Sequence, residues 1–525
     1  PNPRPLLRQA EPSTPTKPDT EQSVLPQAPP AKAVTAPLSG GPTLSVSGFR
    51  IAGVDDATAT RLLPLLGKYT GPGKTLLDLE DAAKDVEVAL QREGFFLAQA
   101  YVPEQRLTDG VVTVQVLIGR LGSVKLEAEP GVKVDAAFMD RIVDRLRGHP
   151  VVERGLIEHA LFTLGDLRGI AVHSSLTPGE RIGHADLVIK VSPAKTAAYA
   201  VEYDNAGSIY TGRHRVYGSA DWFSLAGRGD VASLRAQAAS GTQFLRASWL
   251  TPYNAVGSKV GVALSLLRYE LGTAVFDPLD AEGTAAALSL QWLHPVIRSR
   301  NRNLFFQIST DLRQFDDEVK AIALDSKKSM TAYATFAAVG DFRDTFAGGG
   351  ISNYAAGIVM GNLKIKTPDE AYVDDNSYRS AGSYAKLVLN GSRLQVLPNK
   401  DYLFLSAQAQ LASKNLDSSE KLSMGGPDRV RGYPSPESPS DSGVIATWEY
   451  RKPLRFEQVP GDLVFSVFGD YGYARQHERP LPTDTGNTRK LMSHGVGLTY
   501  ANASGLLVKG WVAMRGDTKA QSDDS

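Results

Sequence analysis

The sequence predicts a transmembrane antiparallel β-barrel of about sixteen strands, preceded by two small βααββ domains. Three features predict this fold. Apolar and polar side chains alternate through residues 194–525, short turns alternate there with long polar loops, and residues 44–192 show one order of strands and helices twice. We therefore divide the chain into a leader (1–42), a first small domain (43–120), a second small domain (121–193) and the barrel (194–525).

The leader is rich in proline, alanine, serine and threonine, and its prolines, Pro29-Pro30 among them, forbid a long helix. We expect a flexible, extended segment, and an unstructured tail without a role is the alternative. Pro1–Ala10 lacks the basic stretch and apolar core of a signal peptide, so either that peptide has been removed or the protein is cytoplasmic.

The first small domain starts with a short strand over Leu44–Ile51. Asp78–Arg92 then places its apolar residues three and four positions apart, on one face of a helix that Gly94 ends. Two strands follow, Ala98–Pro103 and Val111–Ile118, with a turn-forming Thr-Asp-Gly between them. The predicted order is strand, helical segment, helix, strand, strand.

The second small domain repeats that order with little similarity in sequence. A strand is expected around 124–126, helices over Ala136–Leu146 and Glu153–Leu164, and strands over Ile170–Leu176 and Ala185–Val191. Residues 44–192 therefore contain two consecutive βααββ units.

The barrel is predicted from alternation and from its connections. In 259–266, 403–411 and 444–451, every second residue is apolar. A soluble β-sandwich alternates too, with its apolar face inward. The connections favour the barrel, because short turns (398–401 and 502–505) alternate with long polar loops (366–380 and 413–442), as expected when one rim faces the periplasm and the other the exterior.

Composition excludes several other classes of protein. The formal net charge is zero, which is not the basic footprint of a nucleic-acid binder, and the absence of cysteine excludes disulfides and thiolate chemistry. No apolar run approaches the roughly 18–20 residues of a membrane helix. The 8 histidines form no metal-binding motif, so we expect neither a metal nor a cofactor and rank an enzyme last.

Four separate blocks of sequence carry a family resemblance. They are Gly94–Gln105, Asp204–Arg213 at the start of the barrel, Leu422–Tyr433 with its Val-Arg-Gly-Tyr core, and Phe468–Gly472. In this order they resemble the two-partner secretion transporter family (TpsB), whose small periplasmic domains are called polypeptide-transport-associated (POTRA) domains. The resemblance runs from about Leu44 to the last strand.

The resemblance implies a sixth extracellular loop, 413–442, that folds back into the barrel lumen. Its implied site residues are a loop tip of Val430, Arg431, Gly432 and Tyr433, a receiving wall of Phe468, Asp470 and Gly472, and a first POTRA motif of Gly94, Phe95, Pro103 and Gln105.

Elementary chemistry agrees with the implied contact between loop and wall. Leu463, Phe465 and Val467 form one face of their strand, so Asp470 falls on the lumen face, where a lone carboxylate needs a partner. Arg431 has the planar pair of donors to supply it. The alternative is a solvated loop arginine.

The implied function is export of one large exoprotein, adhesin-like or haemolysin-like, across the bacterial outer membrane. Outer-membrane lipid and the barrel assembly machinery are the other expected partners, and nucleic acid is not one. A barrel assembly factor and a passive porin with periplasmic domains are the alternatives. The chain departs from the family at both ends, because the patch Pro5-Leu6-Leu7 is too short for the family's plug helix and the polar tail Gly516–Ser525 follows Trp511–Arg515.

Overall fold

The computed structural model describes residues 43–95, 97–147, 154–181, 184–272, 280–322 and 324–521. The leader, Phe96 of the first motif and the last four residues lie outside the described residues. The expectations of a flexible leader and of no regular plug helix concern that leader, and they stay predictions.

The first small unit is a three-stranded sheet covered by helices, in the strand order β2-β5-β4 with β2 parallel to β5. Helix α2 begins with a reciprocal capping box between Thr75 and Asp78 and buries its predicted apolar face. Its elements are β1 (Leu44–Val46), β2 (Gly48–Ala52), α1 (Asp56–Leu62), a 3₁₀ helix (Leu63–Tyr69), β3 (Gly71–Lys74), α2 (Leu76–Arg92), β4 (Gln99–Tyr101) and β5 (Val111–Leu117).

The predicted single strand over Leu44–Ile51 is wrong in one respect, because the chain divides at Ser47. β1 pairs with β3, whereas β2 pairs with β5 in the main sheet. The Ser47 main-chain N–H donates to Gly110 O at 2.8 Å, so the residue between the two strands is bonded to a turn instead of a ladder.

The elements of the second small unit are β6 (Arg120–Ala128), α3 (Ala136–Arg147), α4 (Arg154–Gly165), β7 (Ile170–Pro178) and β8 (His184–Pro193). Its sheet has the pattern of the first, β6-β8-β7 with β6 parallel to β8, and its two helices lie at the same place in the order. Its described residues contain no counterpart of the β1–β3 pair. Both helices bury an apolar face against the sheet, in a core that includes Phe138, Ile142, Leu161 and Leu187. Two βααββ units therefore precede the barrel.

The rest of the described chain contains one antiparallel sheet of 15 strands, in which each strand pairs with its neighbours in sequence, and one short α-helix (Pro368–Asp375) in a connection between two of them. This number agrees with the expected sixteen or so. The strands are β9 (Ala197–Asp204), β10 (Arg215–Phe223), β11 (Val231–Ala239), β12 (Thr242–Pro252), β13 (Lys259–Glu270), β14 (Ala281–Arg298), β15 (Arg302–Val319), β16 (Leu324–Asp344), β17 (Gly350–Ile365), β18 (Gly382–Val396), β19 (Tyr402–Ala412), β20 (Ser442–Leu454), β21 (Asp462–Arg475), β22 (Thr488–Ala501) and β23 (Leu507–Arg515).

Alternation along these strands separates an outer apolar face from an inner polar one. In β13 the predicted residues Val260, Val262, Leu264 and Leu266 are 39–50% exposed, whereas Ser265 on the other face is buried. An exposed apolar band with a polar interior is the pattern of a membrane barrel and the reverse of a soluble sandwich. No helix within the described residues is long and apolar enough to span a membrane.

The second small unit docks onto the rim that carries the short turns. Arg298 at the end of β14 donates to both carboxylate oxygens of Asp166, at 2.9 and 2.7 Å, and this pair is buried. Two main-chain bonds add to the joint, from Asp135 N–H to Gly227 O at 2.7 Å and from Arg168 N–H to Gly229 O at 3.2 Å. The short turns therefore face the small units, and the long loops lie at the opposite rim.

Candidate functional site

The sixth connection on the long-loop rim, residues 413–441 between β19 and β20, is called loop 6 here. Strand β21 is the wall that faces it. Ser466, Phe468, Asp470, Gly472 and Ala474 are buried at alternate positions of β21, whereas Tyr471 and Tyr473 are exposed. The period of two therefore places Phe468, Asp470 and Gly472 in the lumen, on the predicted face.

The structure brings Arg431 of loop 6 onto Asp470. The Arg431 main-chain N–H and Nε donate to Asp470 Oδ2 at 3.0 and 2.9 Å, and a terminal guanidinium nitrogen donates to Oδ1 at 3.0 Å. The hydroxyls of Thr447 and Ser493 donate to the same carboxylate at 2.8 and 3.1 Å. Five donors thus converge on one buried carboxylate, which satisfies its charge away from bulk water.

A second carboxylate and an aromatic ring complete the surroundings of Arg431. Glu449 of β20 accepts from the other terminal guanidinium nitrogen at 2.7 Å, and Glu449 also accepts from Arg451 at 2.8 Å. The Arg431 guanidinium carbon lies 3.4 Å from the centre of the Phe468 ring. With its side chain 11% exposed, Arg431 is not the solvated arginine considered as the alternative.

The other tip residues fit tightly against the wall. Gly432 has φ +88°, and a Cβ there would lie 3.2 Å from Ala513 Cβ of β23, so both its conformation and its surroundings favour glycine. Tyr433 is buried, and its hydroxyl donates to Thr518 O at 2.8 Å. A Cβ at Gly472 would lie 3.1 Å from Val430 Cγ2, so the absence of a side chain there makes room for the tip.

Residues 516–521, which follow β23, pack against loop 6 as well. Glu437 of loop 6 accepts from the Gln521 main-chain N–H at 3.1 Å and pairs with Arg489 of β22 at 3.3 Å. Ala520 is buried in an apolar cluster with Met424 and Leu491. From the sequence we interpreted this segment as a polar tail. In the structure its described residues cover the tip of loop 6.

Sequence reasoning also missed Glu449, Thr447 and Ser493 as members of the site. A signal for two of them existed, because the alternation in 444–451 puts Thr447 and Glu449 on the polar face. Their position opposite the loop depends on strand register, which pairs Thr447 with Asp470 and Asp470 with Ser493. The alternation along one strand does not show which residues of the neighbouring strand lie opposite.

The four residues of the first POTRA motif lie in the first small unit, apart from the lumen. Gly94 has φ +110° just after α2, and its carbonyl accepts from Arg154 N–H of the second unit at 3.0 Å. Phe95 packs on the core of the first unit. The Gln105 amide accepts from Thr113 N–H at 2.8 Å and donates to Thr113 O at 2.9 Å, which fixes the segment after Pro103 on β5.

Asp204 at the end of β9 has a structural role, since it accepts two bonds from Arg215, at 2.8 and 3.1 Å. Within the described ranges, no group of three or more His, Cys, Asp and Glu side chains has the geometry to hold a metal ion.

The fold and the site define an outer-membrane β-barrel with periplasmic units and a lumen that contains its own sixth loop. The sequence profile of the family described as "Haemolysin secretion/activation protein ShlB/FhaC/HecB" matches residues 183–500, and that of the ShlB-type POTRA domain matches residues 44–119. The chain belongs to the ShlB/FhaC/HecB family. It is an outer-membrane transporter of the two-partner secretion type, as the four sequence blocks predict.

Known relatives extend this similarity over most of the chain. The heme/hemopexin transporter protein HuxB of Haemophilus influenzae (strain 86-028NP) is 25% identical over 481 residues, which cover 89% of this chain and 83% of that protein. The solved structure of CdiB from Escherichia coli superposes with a TM-score of 0.70 at 19% identity, covering 94% of this chain and 91% of that one.

A further solved barrel has a similar fold. BamA from Haemophilus ducreyi lacking POTRA domains 1–3 superposes with a TM-score of 0.51 at 15% identity, covering 91% of this chain and 98% of that one. The family match favours the secretion transporter over the barrel assembly factor considered as an alternative.

Proposed function

We propose that this transporter captures one large, unfolded exoprotein on its periplasmic units and passes it through the lumen when the tip of loop 6 is released. The observation that carries the proposal is the contact of Arg431 with Asp470 and Glu449, since it holds a loop in the path that the exoprotein must take. The tip then closes the lumen, and it consists of Val430, Arg431, Gly432 and Tyr433. The part of the wall that it contacts consists of Phe468, Asp470 and Gly472.

We further propose that residues 121–193 form a second POTRA domain after the first at 43–120. The shared order of elements supports this assignment, as does the shared sheet pattern, in which a parallel central pair is flanked by one antiparallel edge strand. Strand addition at an exposed sheet edge is a common way to bind an extended peptide. β4 and β7 are edge strands of the two sheets and are the sites that we assign to capture.

The remaining proposed partners follow from the outer face of the barrel. Its exposed apolar side chains need lipid, and a barrel of this kind needs assembly machinery to insert it. A passive porin would need an open lumen, whereas Met424 and Val430 of loop 6 are buried between the loop and the wall. The filled lumen therefore supports gated secretion over free diffusion.

Co-production with a large candidate exoprotein, sought among the genes that neighbour this one, tests the proposal. We expect the exoprotein to appear in the medium only with the transporter, and to stay in the periplasm when residues 44–192 are deleted. Heat-dependent electrophoretic mobility shows whether the barrel is correctly folded in the full transporter and in the variant that lacks residues 44–192. Secretion that is unchanged by the deletion would contradict capture by the periplasmic units.

A further inference from the structure

Loop 6 has a second attachment at its stem (413–421), which is separate from its tip (424–437). Glu420 of the stem accepts from Lys386 of β18 at 2.6 Å and from Arg313 of β15 at 3.0 Å. The side chains of Lys386 and Glu420 are 0% and 2% exposed. One carboxylate thus neutralises two cations of the barrel wall inside the lumen.

The main chain of the stem is bound to the wall as well. Glu420 O accepts from Lys386 Nζ at 2.9 Å and from the Gln410 side-chain amide at 3.0 Å. The same Gln410 amide nitrogen donates to Asp441 O at 3.0 Å, at the far end of loop 6. Gln410 of β19 therefore ties both ends of the loop to one point of the wall.

Neighbouring stem residues contact the same side of the lumen. Asp417 lies 3.4 Å from Lys328 of β16, and Leu416 is buried in an apolar cluster with Met330 and Tyr384. The tip, by contrast, contacts strands β20 to β22 through Arg431 and the Met424 cluster. Stem and tip therefore contact different strands and different apolar clusters, although Asn415 and Lys421 of the stem also bond to the connection that follows β21.

We propose that Glu420 is a positioning residue that keeps the stem as a fixed part of the wall, so that only the tip moves when the pore opens. This inference rests on the proposed function of loop 6 as the closure. Separating a buried ion pair leaves charges without compensation, and the cost rises with burial. The tip network has one edge that reaches water, since Arg431 and Glu449 are 11% and 13% exposed although Asp470 is 0% exposed, whereas Lys386 and Glu420 of the stem are both buried. We therefore assign release to the tip.

The test is single-channel recording of Glu420→Gln in planar lipid bilayers. Glutamine keeps the shape of the side chain but removes the charge that faces Lys386 and Arg313, of which Arg313 keeps Asp311 at 3.9 Å. We expect large-conductance openings to become at least about tenfold more frequent, and Lys386→Met in the same chain to bring the frequency back towards the parent. Parent-like openings in Glu420→Gln would overturn the proposal.

Of two further variants, one is a control for the loss of an ion pair, and the other tests the stem if Glu420→Gln does not fold. Lys327→Met removes an ion pair with Asp316 whose side chains are 54% and 56% exposed on the neighbouring strands, and it should leave the conductance unchanged. Gln410→Met cuts the main-chain bonds of the stem without leaving a buried charge, so it tests the stem if Glu420→Gln fails to fold. It should also raise the frequency of openings, and a parent-like frequency would count against the proposal.

A crosslink separates motion of the stem from motion of the tip. A Cβ built at Gly472 lies 3.7 Å from Met424 Cβ, close to the mean of about 3.8 Å in disulfides, and the chain has no cysteine of its own. In a Glu420→Gln background, the disulfide of Met424→Cys/Gly472→Cys should form with the parent's yield. A lower yield would mean that stem and tip move as one body and would overturn the proposal.

Failure of this inference is distinguishable from failure of the proposed function. If the parent chain secretes its exoprotein while Glu420→Gln keeps the parent conductance, the role of the stem is refuted and the proposed function stands. If the parent secretes no exoprotein, the proposed function is refuted whatever the conductance.

Discussion

Replacing Asp470 by asparagine should release the tip of loop 6 while the barrel stays folded. The Asp470 carboxylate accepts three bonds from Arg431 and one each from Thr447 and Ser493. An amide of the same shape loses the charge and turns one acceptor into a donor that faces the guanidinium. The substitution Asp470→Asn therefore weakens the contact between loop 6 and the wall without changing the space that the side chain fills.

The size of the effect follows from the burial of this pair. Removing one partner of a buried ion pair costs about 3–5 kcal/mol. Glu449 stays 2.7 Å from Arg431, which places the expected loss at the lower end of that range. At about 1.4 kcal/mol per factor of ten, a loss of about 3 kcal/mol raises the equilibrium constant for tip release roughly 100-fold.

Single-channel recording measures this equilibrium as the fraction of time spent open. The matched control is Asp221→Asn, since Asp221 accepts two bonds from Arg235, at 2.8 and 2.9 Å, on the neighbouring strands β10 and β11. It removes another arginine–aspartate pair of the barrel without touching loop 6. An open fraction of Asp470→Asn equal to that of the parent and the control would refute the reasoning.

Three more predictions concern the second unit, its joint with the barrel and the loop tip. Burial, and next the cation of Arg145, lower the pKa of His159 from 6.5 to about 4, so the folded second unit is most stable above about pH 6.5 and loses stability as the pH falls towards 4. After a discount for the partial exposure of His159, this pH dependence amounts to about 1–2 kcal/mol of stability. Hydrogen exchange in α4 measures it, and the substitution His159→Gln should remove it. Asp166→Asn removes the carboxylate that pairs with the buried Arg298 and should weaken the joint between the second unit and the barrel by about 3 kcal/mol. Hydrogen exchange in α4 should then be faster at neutral pH, and unchanged exchange would contradict the docking role of this pair. Gly432→Ala at φ +88° should cost about 1–2 kcal/mol and increase the frequency of openings in single-channel recording, and a parent-like frequency would show that the tip tolerates a Cβ.

Much of the architecture could be predicted because local patterns decide it. A period of two places Asp470 in the lumen, and helical spacing predicts α2, whose C-terminal end at Arg92 the structure reproduces. The pairing of Arg431 with Asp470 needed one more fact, that loop 6 turns inward, and only the family resemblance supplied it.

The parts that could not be predicted depend on contacts between distant segments. Arg313 meets Glu420 across 107 positions of sequence, and neither residue lies in a distinctive motif. The division of the first strand at Ser47 depends on the turn at Gly110, which lies more than sixty residues further along the chain. Such choices are fixed by tertiary packing, which overrides strand propensity.

We propose that the tip of loop 6 must leave the lumen for the exoprotein to pass. The disulfide of Met424→Cys/Gly472→Cys tests it, with Ala337→Cys/Gly357→Cys as a tether within the wall, where a Cβ at Gly357 lies 3.3 Å from Ala337 Cβ. Secretion of the exoprotein should stop in the oxidised loop variant and return on reduction, while the wall tether secretes in both states. Secretion at the parent's level with the loop disulfide intact would show that the tip does not have to leave the lumen.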